Sequence, residues 1–428
     1  MQESRGLRKT YGLLAGLDIG TEKICCTVGG LEYEFHEKDS SWEPKFSVLG
    51  FGQSASKGVS YQGITNAEAL EDTIMHVVYT AEESAQKNIK EVYVNVPTNL
   101  IKTHKIQVNL SLSGQTPIQS VHLRKLFSIS RRIPEAESQH IVHLWPLSYT
   151  LDDIEGIIDP IGLIGKELSA VCYLVTTSKT YATNITNCIG RCNLNVVGFV
   201  TDMYADGLAC LVDDEADLGA TLIDIGGKIT QIACFVRGNL VWMDYVPLGG
   251  FHITADLARV LATPISQAER MKILYGSLLE SNRDSSEQVP FSQLVDKHSP
   301  VVEHVPRKII LEIIKARVDD LFDNILASVQ KMPPGVDRVV LQKVVFTGGT
   351  SCLHGFAEFA EAKLGTNVRV ISSHDIIGVG NLLHSPSFST CAGLLHYAVQ
   401  DHIGSNRRND KKPLNFWQKI SLWLNDHI

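Results

Sequence analysis

Apolar and polar positions alternate along the chain so as to split it into two runs that begin alike. Residues 13–19 are mostly apolar, the run breaks at Gly20, and it resumes over 24–28; residues 222–225 are followed by Gly226 and Gly227, and the pattern resumes over 232–236. Each reads as strand, tight turn, strand. An acid stands near the end of each first strand, Asp18 and Asp224. Overlaying the two puts Gly20 on Gly226 and Lys23 one place from Lys228. A repeated strand–turn–strand at the head of two similar halves predicts a duplicated domain with a cleft between the halves. Glycines in such turns let backbone N–H groups approach an anion closely, and an acid beside them makes sense if it holds a cation that a phosphate shares.

The first half continues with a polar hairpin tip over 32–44, a strand over 46–52 and an amphipathic helix over 67–88, with Leu70, Ile74, Val77 and Val78 on one stripe. Residues 91–96 read as a strand with apolar and polar positions alternating. The pattern then changes. Strands over 101–110, 140–150 and 167–176, with a helix over 120–133 stopped by Pro134, make an α+β unit of about 80 residues, enough for a subdomain of its own. A helix over 179–192, a strand over 195–200 and a helix over 202–211 lead into the second half. There the pattern predicts an acid-rich turn over 213–217 and a strand over 240–246. Helices follow over 251–261, opened by Gly249 and Gly250, and over 266–276. Residues 281–300 read as a flexible polar loop. A long helix over 305–331, a strand over 341–346 closed by Thr347, Gly348 and Gly349, a helix over 355–364, a strand over 368–371 and a helix over 388–399 complete the half.

The tail differs from both halves. Residues 404–413 are a polar linker with Arg407, Arg408, Lys411 and Lys412. Over 414–428, at about 100° per residue, Leu414, Phe416, Trp417, Ile420, Trp423, Leu424 and Ile428 share one half of a cylinder. Asn415, Gln418, Lys419, Asn425 and Asp426 share the other, with Leu422 as an exception there and Ser421 and His427 as exceptions on the apolar half. Two tryptophans on the apolar half beside a basic linker suit a helix lying in an anionic lipid interface. A helix docked on the protein body is the alternative.

Composition narrows the picture. A chain of 428 residues needs at least two domains. Its net charge of −8 argues against a general nucleic-acid surface. The nine cysteines are scattered without a Cys-x-x-Cys pair, which suits reduced, mostly buried thiols in a cytoplasmic protein. The start of the chain lacks the apolar core of a signal peptide, and no apolar run approaches the roughly 20 residues of a membrane span.

With these residues in view, the sequence resembles the FtsA family of bacterial cell-division proteins, which are actin-like. The resemblance covers nearly the whole chain. It rests on Ser56-Lys57-Gly58-Val59 before the first long helix, Asp159-Pro160-Ile161-Gly162-Leu163 within the extra subdomain, Ala268-Glu269-Arg270-Met271-Lys272, Thr390-Cys391-Ala392-Gly393-Leu394-Leu395-His396-Tyr397, and the terminal amphipathic helix. It implies an α/β fold of duplicated actin-like domains around a nucleotide cleft, with an inserted α+β subdomain. The first actin-like domain would span 10–90 and 173–212, the insertion 91–172, the second domain 213–248 and 332–400, its outer subdomain 249–331, the linker 401–413 and the membrane helix 414–428.

The family's roles fall on matching residues. ATP and Mg²⁺ are the implied cofactors. Asp18 and Asp224 would reach the metal through water, with Gly20, Thr21 and Lys23 at the first phosphate loop and Gly226, Gly227 and Thr230 at the second. Glu269 and Lys272 would contact ribose and adenine, and Gly348 and Gly349 would let the adenosine part lie on the strand end. Asp202 is the nearest candidate for positioning an attacking water, which leaves hydrolysis open. Lys228 stands where a third glycine is usual, and Thr350 where glycine or alanine is. The resemblance implies a protein that self-associates into filaments and lies on the cytoplasmic face of the inner membrane at the division septum through Phe416, Trp417, Ile420, Trp423 and Leu424. It would tether FtsZ there and meet later divisome proteins. Residues 307–319 are the candidate FtsZ surface. An actin-like ATPase of pilus assembly or cell shape, or a kinase of the same fold, remains an alternative at this point.

Overall fold

Cross-strand pairing turns the two apolar repeats into two sheets of the same order. The computed structural model describes residues 8–36, 41–130, 138–279, 281, 284–293, 301–333, 343–371 and 385–406. The expected tail helix with its five membrane-facing residues, and most of the linker before it, lie outside these.

In the first half β1 (Arg8–Ile19), β2 (Lys23–His36) and β3 (Ser41–Ala55) form an antiparallel meander. The expected tip over 32–44 is thus mostly strand. A minimal pair, β4 (Val59–Ser60) and β5 (Gly63–Ile64), leads into α1 (Ala67–Ala85). Asn66 caps that helix, accepting from Ala69 N at 3.1 Å, as an N-cap side chain does. Leu70, Ile74, Val77 and Ala81 are fully buried at helical spacing; each of the three larger side chains is worth about 1.5–3 kcal/mol. β6 (Glu91–Val96) then pairs parallel with β1 and with the later β11, inside the first sheet. This corrects two expectations. The strand does not belong to the inserted subdomain, and it does not alternate, because a central parallel strand is covered on both faces: Val92 to Val96 are all buried.

The insertion consists of β7 (Ile101–Ser111), α2 (Ser120–Ser130), β8 (Gln139–Leu151), β9 (Ile154–Ile157) and β10 (Glu167–Ser178). Its sheet runs β7-β10-β8-β9 around a core of its own, with Leu123, Leu126 and Phe127 of the helix set against Leu144, Leu168 and Leu174. The chain returns through α3 (Lys179–Arg191), β11 (Asn195–Thr201) and α4 (Asp202–Cys210).

The second half starts with α5 (Asp213–Leu218), a short helix where a turn was expected; three acids in its first turn favour the positive end of the helix dipole. β12 (Ala220–Ile225), β13 (Thr230–Val236) and β14 (Asn239–Val246) repeat the antiparallel meander. Helices α6 (Gly250–Val260) and α7 (Ile265–Tyr275) follow. The expected loop over 281–300 contains a strand, β15 (Gln288–Gln293), which pairs with β16 (Val301–Pro306) in a two-stranded sheet of its own. Val289 and Phe291 of β15 are buried. Pro290 is tolerated because a two-stranded ribbon leaves amides that need no partner strand. Then come α8 (Arg307–Val329), β17 (Val344–Thr347), α9 (Phe356–Leu364), β18 (Val368–Val370) and α10 (Ser389–Asn406).

The first sheet runs β11-β6-β1-β2-β3 and the second β14-β13-β12-β17-β18. Starting from β1 and β12, both are an antiparallel meander on one side and two parallel strands on the other. The chain divides into two units: of the described residues, one holds 8–209 and 390–406, the other 210–371 and 385–389. Residues 390–400, expected in the second domain, therefore group with the first half, and 401–406, expected as linker, continue α10.

Candidate functional site

The first turn sits at the carboxyl end of β1. Ile19 pairs with Ile24, and Gly20 N donates to Lys23 O at 3.0 Å, closing a four-residue loop. Asp18 is 7% exposed, Thr21 and Lys23 are half-buried. Behind the loop a polar chain ties three strand ends together. Ile19 N donates to Asn95 Oδ1 at 2.7 Å, and Asn95 Nδ2 donates to Asp202 Oδ1 at 3.0 Å. Asp202, the candidate for handling water, is thus the first residue of α4, 6% exposed, and coupled to the phosphate-type loop through one amide. Asn95 was missed from the sequence: in an alternating strand it reads as one more polar position, and its partners are far along the chain. Carboxyl ends of parallel strands are where open α/β sheets bind ligands.

The second turn repeats this geometry. Ile225 pairs with Thr230, and Gly226 N donates to Ile229 O at 3.1 Å. The pairing therefore aligns Gly20-Thr21-Glu22-Lys23 with Gly226-Gly227-Lys228-Ile229, so Lys228 matches Glu22 and not Lys23. Asp224 accepts from Gln231 Nε2 at 3.3 Å. Thr230 is buried, and its hydroxyl donates to Leu248 O at 2.8 Å. It positions the turn against the segment entering α6.

Three segments meet around this turn, and they meet at glycines. Gly250 N donates to Gly226 O at 2.9 Å and Phe251 N to Gly227 O at 2.8 Å. A Cβ on Gly249 would lie 2.5 Å from Gly226 O and 2.6 Å from Gly227 O. Gly348 has φ +88°, and a Cβ there would collide with Asp224 Oδ1 and Ile225 O. The result is a cradle lined by backbone beside a carboxylate, which fits the polyphosphate and metal of a nucleotide.

Glu269 and Lys272 stand one helical turn apart on α7. Lys272 Nζ lies 2.7 Å from Glu269 Oε2 and donates to Gly250 O at 3.1 Å and Thr254 Oγ1 at 2.9 Å; Thr254 Oγ1 also bonds Glu269 Oε2. The pair therefore braces α7 against the start of α6, with Glu269 the more exposed of the two, 42% against 12%. Within the second unit the structure thus brings together Asp224, Gly226, Gly227, Thr230, Lys272, Gly348 and, at its rim, Glu269. Gly349 opens the turn after β17 next to them. Within the first unit it brings together Asp18, Gly20, Thr21, Lys23 and Asp202.

A second feature lies on the outer part of the second unit. A cavity of 280 Å³ is lined by Ser277, Leu278, Asp284, Lys308, Leu311 and Lys315 among others. Its floor is fixed by Arg307, which donates to Asp284 Oδ1 at 2.8 Å and Tyr275 O at 3.0 Å. Of the expected surface over 307–319, Arg307 is spent on this brace while Lys308, Leu311, Glu312 and Lys315 face the cavity.

Comparisons with known proteins agree with this geometry. The family model described as "Cell division protein FtsA" matches residues 221–393, and one described as "SHS2 domain inserted in FTSA" matches residues 99–176. The cell division protein FtsA of Agrobacterium fabrum is 33% identical over 393 residues, covering 91% of this chain and 87% of its own length. Among solved structures, that of a PilM-PilN type IV pilus biogenesis complex has a TM-score of 0.60 at 16% identity, covering 90% of this chain and 98% of its own. MreB5 of Spiroplasma citri bound to ADP has 0.55 at 14% identity, covering 90% and 95%. At such identities the structures speak for the fold alone, which is the duplicated actin-like one.

Proposed function

Since the chain belongs to the FtsA family of cell division proteins, we propose that it is an ATP-binding adaptor that holds FtsZ filaments at the membrane. Relationship over nearly the full length sets this above the pilus-assembly, cell-shape and kinase alternatives. The observation that carries the nucleotide part is the repeated acid–glycine hairpin, with the same sheet order behind it and a glycine cradle around its second copy.

In this reading Gly226, its own amide closing the turn on Ile229 O, and Gly227 let the turn's backbone approach the phosphates, while Asp18 and Asp224 hold magnesium-bound water. Thr230 and Lys272 position the second turn and α6, Glu269 offers its exposed carboxylate to the ribose, and Gly348 and Gly349 admit the adenosine. Bound Mg-ATP supplies the phosphoanhydride and the charge that these groups are arranged to hold. Asp202, fixed by Asn95, is the group for orienting water. The cavity beside α8 takes the FtsZ segment, with Leu311 as an apolar anchor and a mixed rim of Lys308, Lys315, Glu312 and Asp284 for the segment's polar groups. No helix among the described residues is long and apolar enough to cross a membrane. Attachment to the anionic cytoplasmic face at the septum falls to residues 414–428. Self-association into filaments and contacts of the insertion with later division proteins complete the proposal.

The test is co-sedimentation of the purified full chain with anionic vesicles, with and without FtsZ polymer and ATP. Recruitment of FtsZ to vesicles only through this protein is expected. Vesicle binding without recruitment sinks the tether, and unchanged binding after removal of residues 414–428 sinks the lipid helix.

A further inference from the structure

The two faces of the inserted sheet are used differently. Leu144 of β8 enters the insertion's own core, and alternation along the strand turns its neighbours His143 and Trp145 to the other face. Both are buried there, and their rings stack with centroids 4.5 Å apart. They meet the start of α4. His143 Nε2 accepts from Thr201 N at 3.1 Å; Thr201 ends β11, and Asp202 follows it. An imidazole that accepts at Nε2 is neutral and carries its proton on Nδ1. The Tyr204 ring, two residues beyond Asp202, lies 4.9 Å from Trp145 and 5.2 Å from His143. β11 is an edge strand of the first sheet, and edges leave amides that their own sheet does not pair. At Thr201 the insertion supplies the acceptor.

We propose that His143 is a positioning residue for Asp202, through which the inserted subdomain holds the group that orients water for hydrolysis of bound Mg-ATP. The inference rests on the nucleotide reading above and deepens it. In that hydrolysis the water oxygen bonds to the terminal phosphorus, and the bond from that phosphorus to the bridging oxygen breaks; ADP, inorganic phosphate and one proton result. The protein's part in such a step is placement and charge. Asp202 is placed from two directions. Asn95 Nδ2 donates to its Oδ1 at 3.0 Å from inside the first sheet, and His143 holds the amide one residue before it from the insertion. The first bond fixes the carboxylate and the second the backbone that carries it. The turn at Gly20 is closed by a bond of its own. Loss of the His143 bond therefore moves Asp202 and spares the turn that faces the nucleotide.

The experiment is single-turnover hydrolysis of Mg-ATP by the full-length protein, with affinity from calorimetric titration. It compares the wild type, His143→Leu, His143→Gln, Asp202→Asn and the double variant of His143→Leu with Asp202→Asn. His143→Leu is expected to hydrolyse about tenfold more slowly, as a small misplacement does, with affinity within about twofold of wild type. His143→Gln keeps an acceptor and should hydrolyse within about threefold of wild type. Asp202→Asn should be slow, and adding His143→Leu should slow it by less than about twofold more, because the two residues act in series. The positioning role is overturned by a His143→Leu or an Asp202→Asn as fast as wild type, or by a His143→Gln as slow as His143→Leu. An equal loss of rate and affinity, or the same loss in the Asp202→Asn background, overturns it too. So does a wild type that binds Mg-ATP without hydrolysing it, which leaves the nucleotide reading intact. A wild type that binds no nucleotide overturns both.

Discussion

The two halves of the molecule solve the same structural problem with different chemistry. Pairing of β1 with β6 runs Gly16 to Tyr93 and Leu17 to Val94, which brings Asn95 beside Asp18; in the second half Asp224 pairs with Thr347. Asn95 and Thr347 are thus counterparts, both fully or almost fully buried. Each reaches the first residue of a helix: Asn95 bonds Asp202, which opens α4, and Thr347 lies 2.5 Å from Ser389, which opens α10. After these strands the halves part. The first continues with Pro97 and Thr98 into the insertion, the second with Gly348 and Gly349. The first half therefore holds two buried carboxylates, Asp202 fixed by Asn95, and the second has backbone laid open by glycine. The frame repeats, and the groups placed at the two strand ends differ.

The largest expected effect comes from closing the glycine side. In Gly348→Val the new side chain meets Asp224 Oδ1 and Ile225 O at a backbone angle of φ +88°. Strain at such a position costs about 1–3 kcal/mol and overpacking a further 1–3, so the second unit should lose about 2–6 kcal/mol in denaturant unfolding and nucleotide binding should vanish in titration. A folded variant that still binds ATP would remove the cradle from the argument. Next comes the polar side. Asn95→Leu leaves Ile19 N and Asp202 without their shared amide, at about 1–3 kcal/mol for each stranded group. Thr347→Val keeps shape and removes one hydroxyl, for about 1 kcal/mol. If the two variants shift the unfolding midpoint equally, the halves are more alike than their contacts suggest.

Much of this frame was legible in the sequence because it is local. The acid, the glycine and the flanking apolar runs lie within a few residues of one another, and the helix at 67–85 announces itself by its buried stripe. The misread parts depend on distance or context. Nothing near Glu91–Val96 says that the strand is central, paired on both edges and buried on both faces, so alternation puts Asn95 on a solvent face. In 281–300 the turn-rich composition and Pro290 hid the alternation of Val289 and Phe291. The offset of Lys228 from Lys23 was visible, and the pairing of Ile225 with Thr230 agrees with it in making Glu22 the counterpart of Lys228.

A third difference appears under acid. Where the insertion meets the rest of the first half, His143 accepts from Thr201 N at 3.1 Å and stacks on Trp145 with centroids 4.5 Å apart. Complete burial pushes its pKa from the ordinary 6.5 down to about 3. Between those values the unfolded chain takes up a proton that the folded chain refuses, so this contribution to stability falls as pH falls through the window. At pH 5 the loss is about 2 kcal/mol relative to pH 7. His143→Gln retains an acceptor and does not titrate. Its unfolding midpoint should change less between pH 7 and 5 than that of the wild type; an identical slope would assign the acid sensitivity elsewhere.

The smallest effect tests whether the two turns can be made alike. Glu22 is exposed, and its amide neighbourhood is set by backbone bonds, including Ser56 N to Glu22 O at 2.9 Å, which a side-chain change leaves in place. Glu22→Lys gives the first turn the charge of the second without altering its four-residue closure. In a solvent-screened position a reversed charge acts on phosphate through high dielectric, so the gain is of order 0.5 kcal/mol, or about a twofold tightening for ATP that fades as salt is raised. A large, salt-independent gain would mean that the first turn binds phosphate as closely as the second, and that the halves divide the ligand evenly. No gain at low salt would mean that the first turn's part lies wholly in Asp18 and the backbone, which is the division of labour that the Asn95–Asp202 pair already suggests.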